Sequence, residues 1–150
     1  MKTYPIIILM SLLLNSCNDC DLPGDSDSGI IVSEFDILND CVRLDEYKDT
    51  YIIRTQDEYD SIKIKKTNNE NCTTYTLNPV EFNNYTLLGI KACGTCEVSF
   101  DRNVTKDDHS KKYIYTIKVN DCGPCKELSC SMNWVLVPKL PDDWTVEFKE

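Results

Sequence analysis

Strict alternation of apolar and polar positions is confined to the second half of the chain. Glu97-Val98-Ser99-Phe100-Asp101 and Tyr113-Ile114-Tyr115-Thr116-Ile117-Lys118-Val119 each put every second side chain on one apolar face, the period of a half-buried strand. Tyr85–Ala92 is apolar and β-branched and reads as a further strand. Lys106–Lys112 is a charged turn. Trp134-Val135-Leu136-Val137 and Trp144-Thr145-Val146-Glu147-Phe148 add two strands, separated by Pro138, Pro141 and an Asp142-Asp143 turn. Earlier, Tyr51–Arg54 reads as a short strand. Thr55-Gln56-Asp57-Glu58 then has the form of a capping box, and Tyr59 and Ile62 supply an apolar face, which predicts a helix of about two turns ending near Lys63–Lys66. Thr67–Thr74 reads as a loop. Short consecutive strands joined by short turns predict an α+β fold: a small antiparallel meander with one short helix.

The amino terminus follows a different rule. Met1-Lys2-Thr3 is positive, and Tyr4–Leu14 is apolar but shorter than the about 20 residues a membrane span requires. Leu14-Asn15-Ser16-Cys17 follows and resembles the lipobox of bacterial lipoproteins, in which a Leu, two small or polar residues and a Cys direct diacylglyceryl attachment and cleavage before the Cys. The resemblance implies a signal peptide over 1–16 and a lipidated (palmitate-bearing) Cys17; the competing reading is an ordinary signal peptide cut elsewhere, with Cys17 in a disulfide. Asn18, where an Asp would imply inner-membrane retention, implies an outer-membrane lipoprotein of the cell envelope. Asp19 and Asp21 are similar to the acidic tether signals of some surface-exposed lipoproteins, so a periplasmic and a surface-exposed orientation both remain open. Asn18–Gly29 is acidic, turn-rich and aperiodic, which makes 17–29 a lipidated Cys with a solvated tether and 30–150 a single β-rich domain.

Length and composition agree with one domain. The chain has 150 residues, 41% of them hydrophobic, enough for a core. Its 16 basic residues against 25 acidic ones leave a net charge of −9, which phosphate backbones repel, so nucleic acid is excluded as an expected partner. The five glycines form no phosphate-binding loop.

Nine cysteines are many for a reducing cytosol. With Cys17 lipidated, eight remain and can pair completely. Cys20 falls in the tether, and Cys41, Cys72, Cys93, Cys96, Cys122, Cys125 and Cys130 are the disulfide candidates of the domain. If the strands at 85–92, 97–102 and 113–119 pair in order, Cys93, Cys96, Cys122, Cys125 and Cys130 gather at one end of the sheet. Export and the even count favour structural disulfides. Cys93-x-x-Cys96 with Cys122-x-x-Cys125 also has zinc-ribbon spacing, although thiolates rarely survive unpaired in an oxidising compartment. Cys122-Gly123-Pro124-Cys125 matches the tetrapeptide of thioredoxin, but Lys126–Ser131 is too short for the helix whose N-terminus would lower a thiol pKa. Disulfides are therefore expected, with no metal and no cofactor.

Other chemistry is sparse. His109, the single histidine, sits in a polar turn as a solvated residue, and no Ser-His-Asp or Cys-His arrangement has an apolar frame. Asp107-Asp108 and Asp142-Asp143 read as turn formers rather than calcium ligands. Three Asn-x-Thr sequons, at Asn71, Asn84 and Asn103, are chance matches in a bacterial lipoprotein. Trp134 and Trp144 read as core.

Pro79-Val80-Glu81-Phe82-Asn83-Asn84-Tyr85-Thr86-Leu87-Leu88-Gly89, then Gly94 before Cys96-Glu97-Val98-Ser99-Phe100, and a closing Asn133-Trp134-Val135-Leu136-Val137-Pro138-Lys139 with Val146-Glu147-Phe148, resemble the carboxy-terminal domain of the PrcB-like lipoproteins, the protease-complex-subunit family. The family's double Gly is here Gly94 alone, and the cysteines are extra. The resemblance implies a non-enzymatic accessory domain that docks or stabilises a partner protein, with no catalytic residues. The expected function is thus a membrane-anchored binding module; a thiol–disulfide exchange protein using Cys122 and Cys125, or a zinc-binding structural module, are the alternatives.

Overall fold

A computed structural model describes residues 20–38, 41–67, 76–124 and 126–150. The expected signal peptide and anchor Cys17, as well as Cys72, Cys125 and most of the Thr67–Thr74 loop, lie outside the described residues. In chain order the elements are β1 (Ser26–Gly29), β2 (Ser33–Glu34), β3 (Val42–Leu44), β4 (Thr50–Ile53), α1 (Gln56–Asp60), β5 (Ile64–Lys66), β6 (Tyr85–Thr95), β7 (Glu97–Asp107), β8 (Lys112–Cys122), β9 (Leu128–Pro138) and β10 (Thr145–Lys149). The protein is mostly β with one short helix, not a balanced α+β domain.

The expected single meander is replaced by two facing sheets. One has the order β1-β7-β8-β10, the other β2-β9-β6-β4, and a small β3-β5 ladder lies apart from both. The long strands β6 and β7 are separated by one residue, Cys96, yet belong to different sheets. Cys96 takes the left-handed region, φ 63°, which turns the chain through the corner. The link from β9 to β10 likewise crosses between sheets. As a result β10 runs parallel to β8, Val146 opposite Tyr113, rather than closing a hairpin with β9.

Burial explains why the strands look different in sequence. Between the sheets lies a core that includes Leu88, Ile90, Val104, Tyr115, Ile117 and Val135. On the far side of the β2-β9-β6-β4 sheet a second core, including Ile37, Leu44, Tyr59, Phe82, Leu87 and Trp134, is covered by α1, the β3-β5 ladder and the 76–82 segment. β6 and β9 therefore have apolar neighbours on both faces and carry near-continuous apolar runs. β7 and β8 have solvent on one face and alternate. Trp134 lies directly across from Gly89, where an added Cβ would come 2.6 Å from the indole ring; the missing side chain is what lets the ring lie flat on the sheet. Trp144 is half-buried against the inter-sheet core.

The helix is shorter than predicted. Thr55 caps it, its hydroxyl accepting the Glu58 N–H at 3.2 Å, while the Glu58 carboxylate accepts the Arg54 N–H at 2.6 Å. It ends at Asp60 because Lys63–Lys66 is drawn into the β3-β5 ladder instead.

The amino-terminal segment departs furthest from expectation. The solvated tether ends early: Ser26–Gly29 forms β1, parallel to β7, and Ile30 N–H donates to the Val104 carbonyl at 2.8 Å. The chain then crosses to the other sheet, where Val32 N–H donates to the Leu136 carbonyl at 2.8 Å and β2 pairs with β9. This strap closes one side of the sandwich. On the other side the Arg54 guanidinium donates to the carbonyls of Asp142, at 3.4 Å, and Trp144, at 2.7 Å. Among the described residues, no helix is long and apolar enough to cross a membrane.

Candidate functional site

Strand lengths decide where the cysteines meet. β6 and β9 pair over eleven positions, from Tyr85 with Pro138 to Thr95 with Leu128, and β7 and β8 pair from Asp107 with Lys112 to Glu97 with Cys122. Cys93, Cys96, Cys122 and Cys130 thus come to one end of the sandwich. Cys93 and Cys130 are directly opposite on neighbouring strands, with Cα atoms 4.1 Å apart, and form a disulfide. Cys122 is bonded to Cys20, 102 residues earlier in the chain. Cys41 and Cys96 are each in a disulfide as well.

Cys20, which had fallen in the tether, is therefore a disulfide residue. Sequence spacing could not pair it with Cys122, because the contact exists only once the strap is laid against β7. Cys122 and Cys125, the two thiols of the thioredoxin-like tetrapeptide, are not bonded to one another. With their sulfurs in disulfides, Cys93, Cys96 and Cys122 are not thiolate donors for a metal.

Local backbone chemistry supports this end. Cys96 and Cys122 are bridged partners, and Gly123 follows with φ +120°, where an added Cβ would sit 2.8 Å from the Cys96 sulfur. Only glycine fits there. The Asp121 carboxylate accepts both the hydroxyl, at 2.8 Å, and the N–H, at 3.2 Å, of Thr95, tying β8 to the end of β6. Those hydrogen bonds hold the Asp121 carboxyl below the usual carboxylate range, against a smaller opposing effect of desolvation.

The strap carries a second polar feature. Arg102, 3% exposed, projects from β7 and ion-pairs with Asp27 at 2.7 Å, Glu34 at 3.0 Å and Asp25 at 3.3 Å, while also donating to the Asn133 side-chain oxygen at 3.3 Å. Burial alone would lower its pKa. The hydrogen bond and charge of Asp27, with Glu34 and Asp25, outweigh that and leave it above the ordinary arginine value. A buried guanidinium must be met by charge, and all three of its carboxylates come from the strap. Arg102 and its acidic partners are not among the residues that the sequence alone singles out, although Arg102 falls in register with the buried Phe100 and Val104 of β7.

Compared with known proteins, the chain has no match among family models, curated proteins or solved structures.

The rest of the surface offers a groove. β4 is an edge strand, and along it runs a groove of about 370 Å³ lined by residues such as Glu46, Lys48, Thr50, Ile52, Glu58 and Lys63. Ile52 is exposed within it. His109 is exposed in the β7–β8 turn, where the Asp107 carboxylate accepts the N–H groups of His109 and Ser110 at 3.0 and 3.1 Å. Asp107 is thus a turn former. Asp143 pairs with Lys111 across the adjoining turn at 2.6 Å.

Proposed function

We infer that the protein is an exported lipoprotein, held to the outer membrane through Cys17, whose domain binds a partner protein and has no catalytic role of its own. The observation that carries this reading is the state of the sulfurs: all six described cysteines are in disulfides, which form and persist in an oxidising compartment. Leu14-Asn15-Ser16-Cys17 behind an apolar segment supplies the route out of the cell, and two or three acyl chains, each contributing about 0.8 kcal/mol per buried methylene, anchor firmly. The resemblance of the 79–89 segment and the closing strands to the PrcB-like lipoproteins supports an accessory role toward another protein.

The edge of β4 is the face that suits such a role. Its unpaired backbone groups and the exposed Ile52 would accept an extended partner segment as an added strand, with the groove taking its side chains. Expressed as the full chain, the protein is expected to incorporate palmitate and sediment with membranes, whereas Cys17→Ala is unlabelled and released. A photoreactive residue at Ile52 should crosslink to one protein in intact envelopes, and one at His109 should not. A labelled, membrane-bound Cys17→Ala variant would overturn the anchoring, and equal crosslinking from both positions would overturn the docking face.

A further inference from the structure

We propose that the Cys20–Cys122 disulfide sets the orientation of the domain on the membrane, holding the cysteine-bearing end of the sandwich against the lipid headgroups and pointing the His109 turn away. The proposal rests on the anchoring of Cys17 inferred above. It adds a consequence that a flexible tether would not have.

The reach of the chain decides it. Only Asn18 and Asp19 separate Cys17 from Cys20, so the two Cα atoms are no more than about 11 Å apart whatever the conformation of the residues between them. Cys20 is covalently joined to Cys122, with Cα atoms 5.8 Å apart. Without that bond, the first attachment of the chain to the domain would come at Asp25, whose carboxylate accepts the Phe100 N–H at 3.0 Å, and β1. The seven intervening residues, a reach of about 28 Å, would then let the domain turn freely. With the bond, Cys122 is held within about 17 Å of the anchored residue, little more than half the reach of the free segment, and the end it shares with Thr95, Cys96, Gly123 and Leu128 is held with it.

The side chains at this end fit a polar lipid surface. Leu128, 63% exposed, stands at the start of β9 opposite Thr95. Lys126 and Glu127 next to it are exposed and of opposite sign, so the patch is near neutral. A domain in a chain of net charge −9 would not approach anionic lipid by charge alone. The covalent link supplies the approach that electrostatics does not. The eleven residues of β7 span about 35 Å, which places the His109 turn far outside the headgroup layer and leaves the edge of β4 facing sideways, open to a partner.

The test uses the lipidated full chain in vesicles of phosphatidylethanolamine and phosphatidylglycerol containing a nitroxide-headgroup lipid, a short-range quencher. Leu128→Trp and His109→Trp each add one indole at an exposed position, leaving the fold undisturbed. Vesicle flotation first reports whether the protein is anchored; protein that does not float overturns the anchoring itself. For protein that floats, the emission added by Leu128→Trp should be lost relative to unlabelled vesicles, while that added by His109→Trp is unchanged. Combining Leu128→Trp with Cys20→Ser and Cys122→Ser should restore most of the lost emission. Equal quenching at both positions, quenching at His109→Trp only, or no effect of the two serine substitutions on floating protein overturns the orientation.

Discussion

The two ends of the long strands are held by different means. Toward the His109 turn, the strands stop where the core stops: Val104, Tyr113 and Leu140 are buried, the Thr86 hydroxyl accepts the Leu140 N–H at 2.9 Å, and Lys111 and Asp143 join the two turns. Toward the cysteines, the strands run past the core. Apolar packing fades after Ala92, Val98 and Val119, and Leu128–Ser131 are exposed. Here the disulfides, the Asp121–Thr95 hydrogen bonds and the strap do the holding. A cross-link needs no buried area, because it works mainly by removing conformations from the unfolded chain. Small domains short of core use the same device.

Three experiments sharpen that contrast. Cys20→Ser with Cys122→Ser opens a loop with a separation of 102 residues. The chain-entropy argument puts the loss near 4–5 kcal/mol, read by urea unfolding under oxidising conditions, with hydrogen exchange rising first in β1 and at the Cys122 end of β8. Unchanged stability would mean that the strap is held by its hydrogen bonds and Arg102 alone. Tyr115→Ala removes a fully buried ring whose hydroxyl donates to the Asn133 carbonyl at 3.2 Å; about 3–4 kcal/mol should be lost. That loss should be as large in the reduced protein as in the oxidised one, since it belongs to the core and not to the cross-links.

The smallest effect is the response to acid. Hydrogen bonding holds Asp107, Asp143 and Glu147 below the usual carboxylate range, with the Ser110 hydroxyl, Lys111 and Lys112 as the respective first causes. Groups with a lowered folded pKa contribute stability that is present above their unfolded values, near pH 4, and is lost as the pH falls through the folded values. These three lie at the cysteine-free end or on β10, whereas at the cysteine end Asp121 is lowered in the same way but its hydrogen bonds to Thr95 are backed by disulfides, so hydrogen exchange should rise on acidification more toward the His109 turn than around Cys93–Cys130, where the covalent bonds do not titrate. Uniform loosening at both ends would contradict the division.

Several features were legible in the residues because they depend on neighbours in sequence. The strands of 97–102 and 113–119 follow from period-two alternation, and the Thr55 cap from a local hydrogen-bond pattern. The capping signal was right about where the helix begins but overstated its length, because the β3-β5 ladder competes for Ile64–Lys66. The meander was wrong for a similar reason. The short link between the strands read at 85–92 and 97–102 looks like a tight hairpin, and nothing local announces that Cys96 turns the chain into another sheet.

By itself the sequence determined which segments are extended, that the chain carries enough cysteines for a braced fold, and that its charge repels polyanions, all of which are sums over local choices. Only the tertiary structure decided that the acidic segment after Cys20 is a strap and not a free tether, and that Cys122 bonds to a residue 102 positions away rather than to its neighbour in the tetrapeptide. Such pairings depend on burial. Arg102 cannot lie between two sheets without three carboxylates to meet it, and bringing those carboxylates to β7 is what carries Cys20 to Cys122.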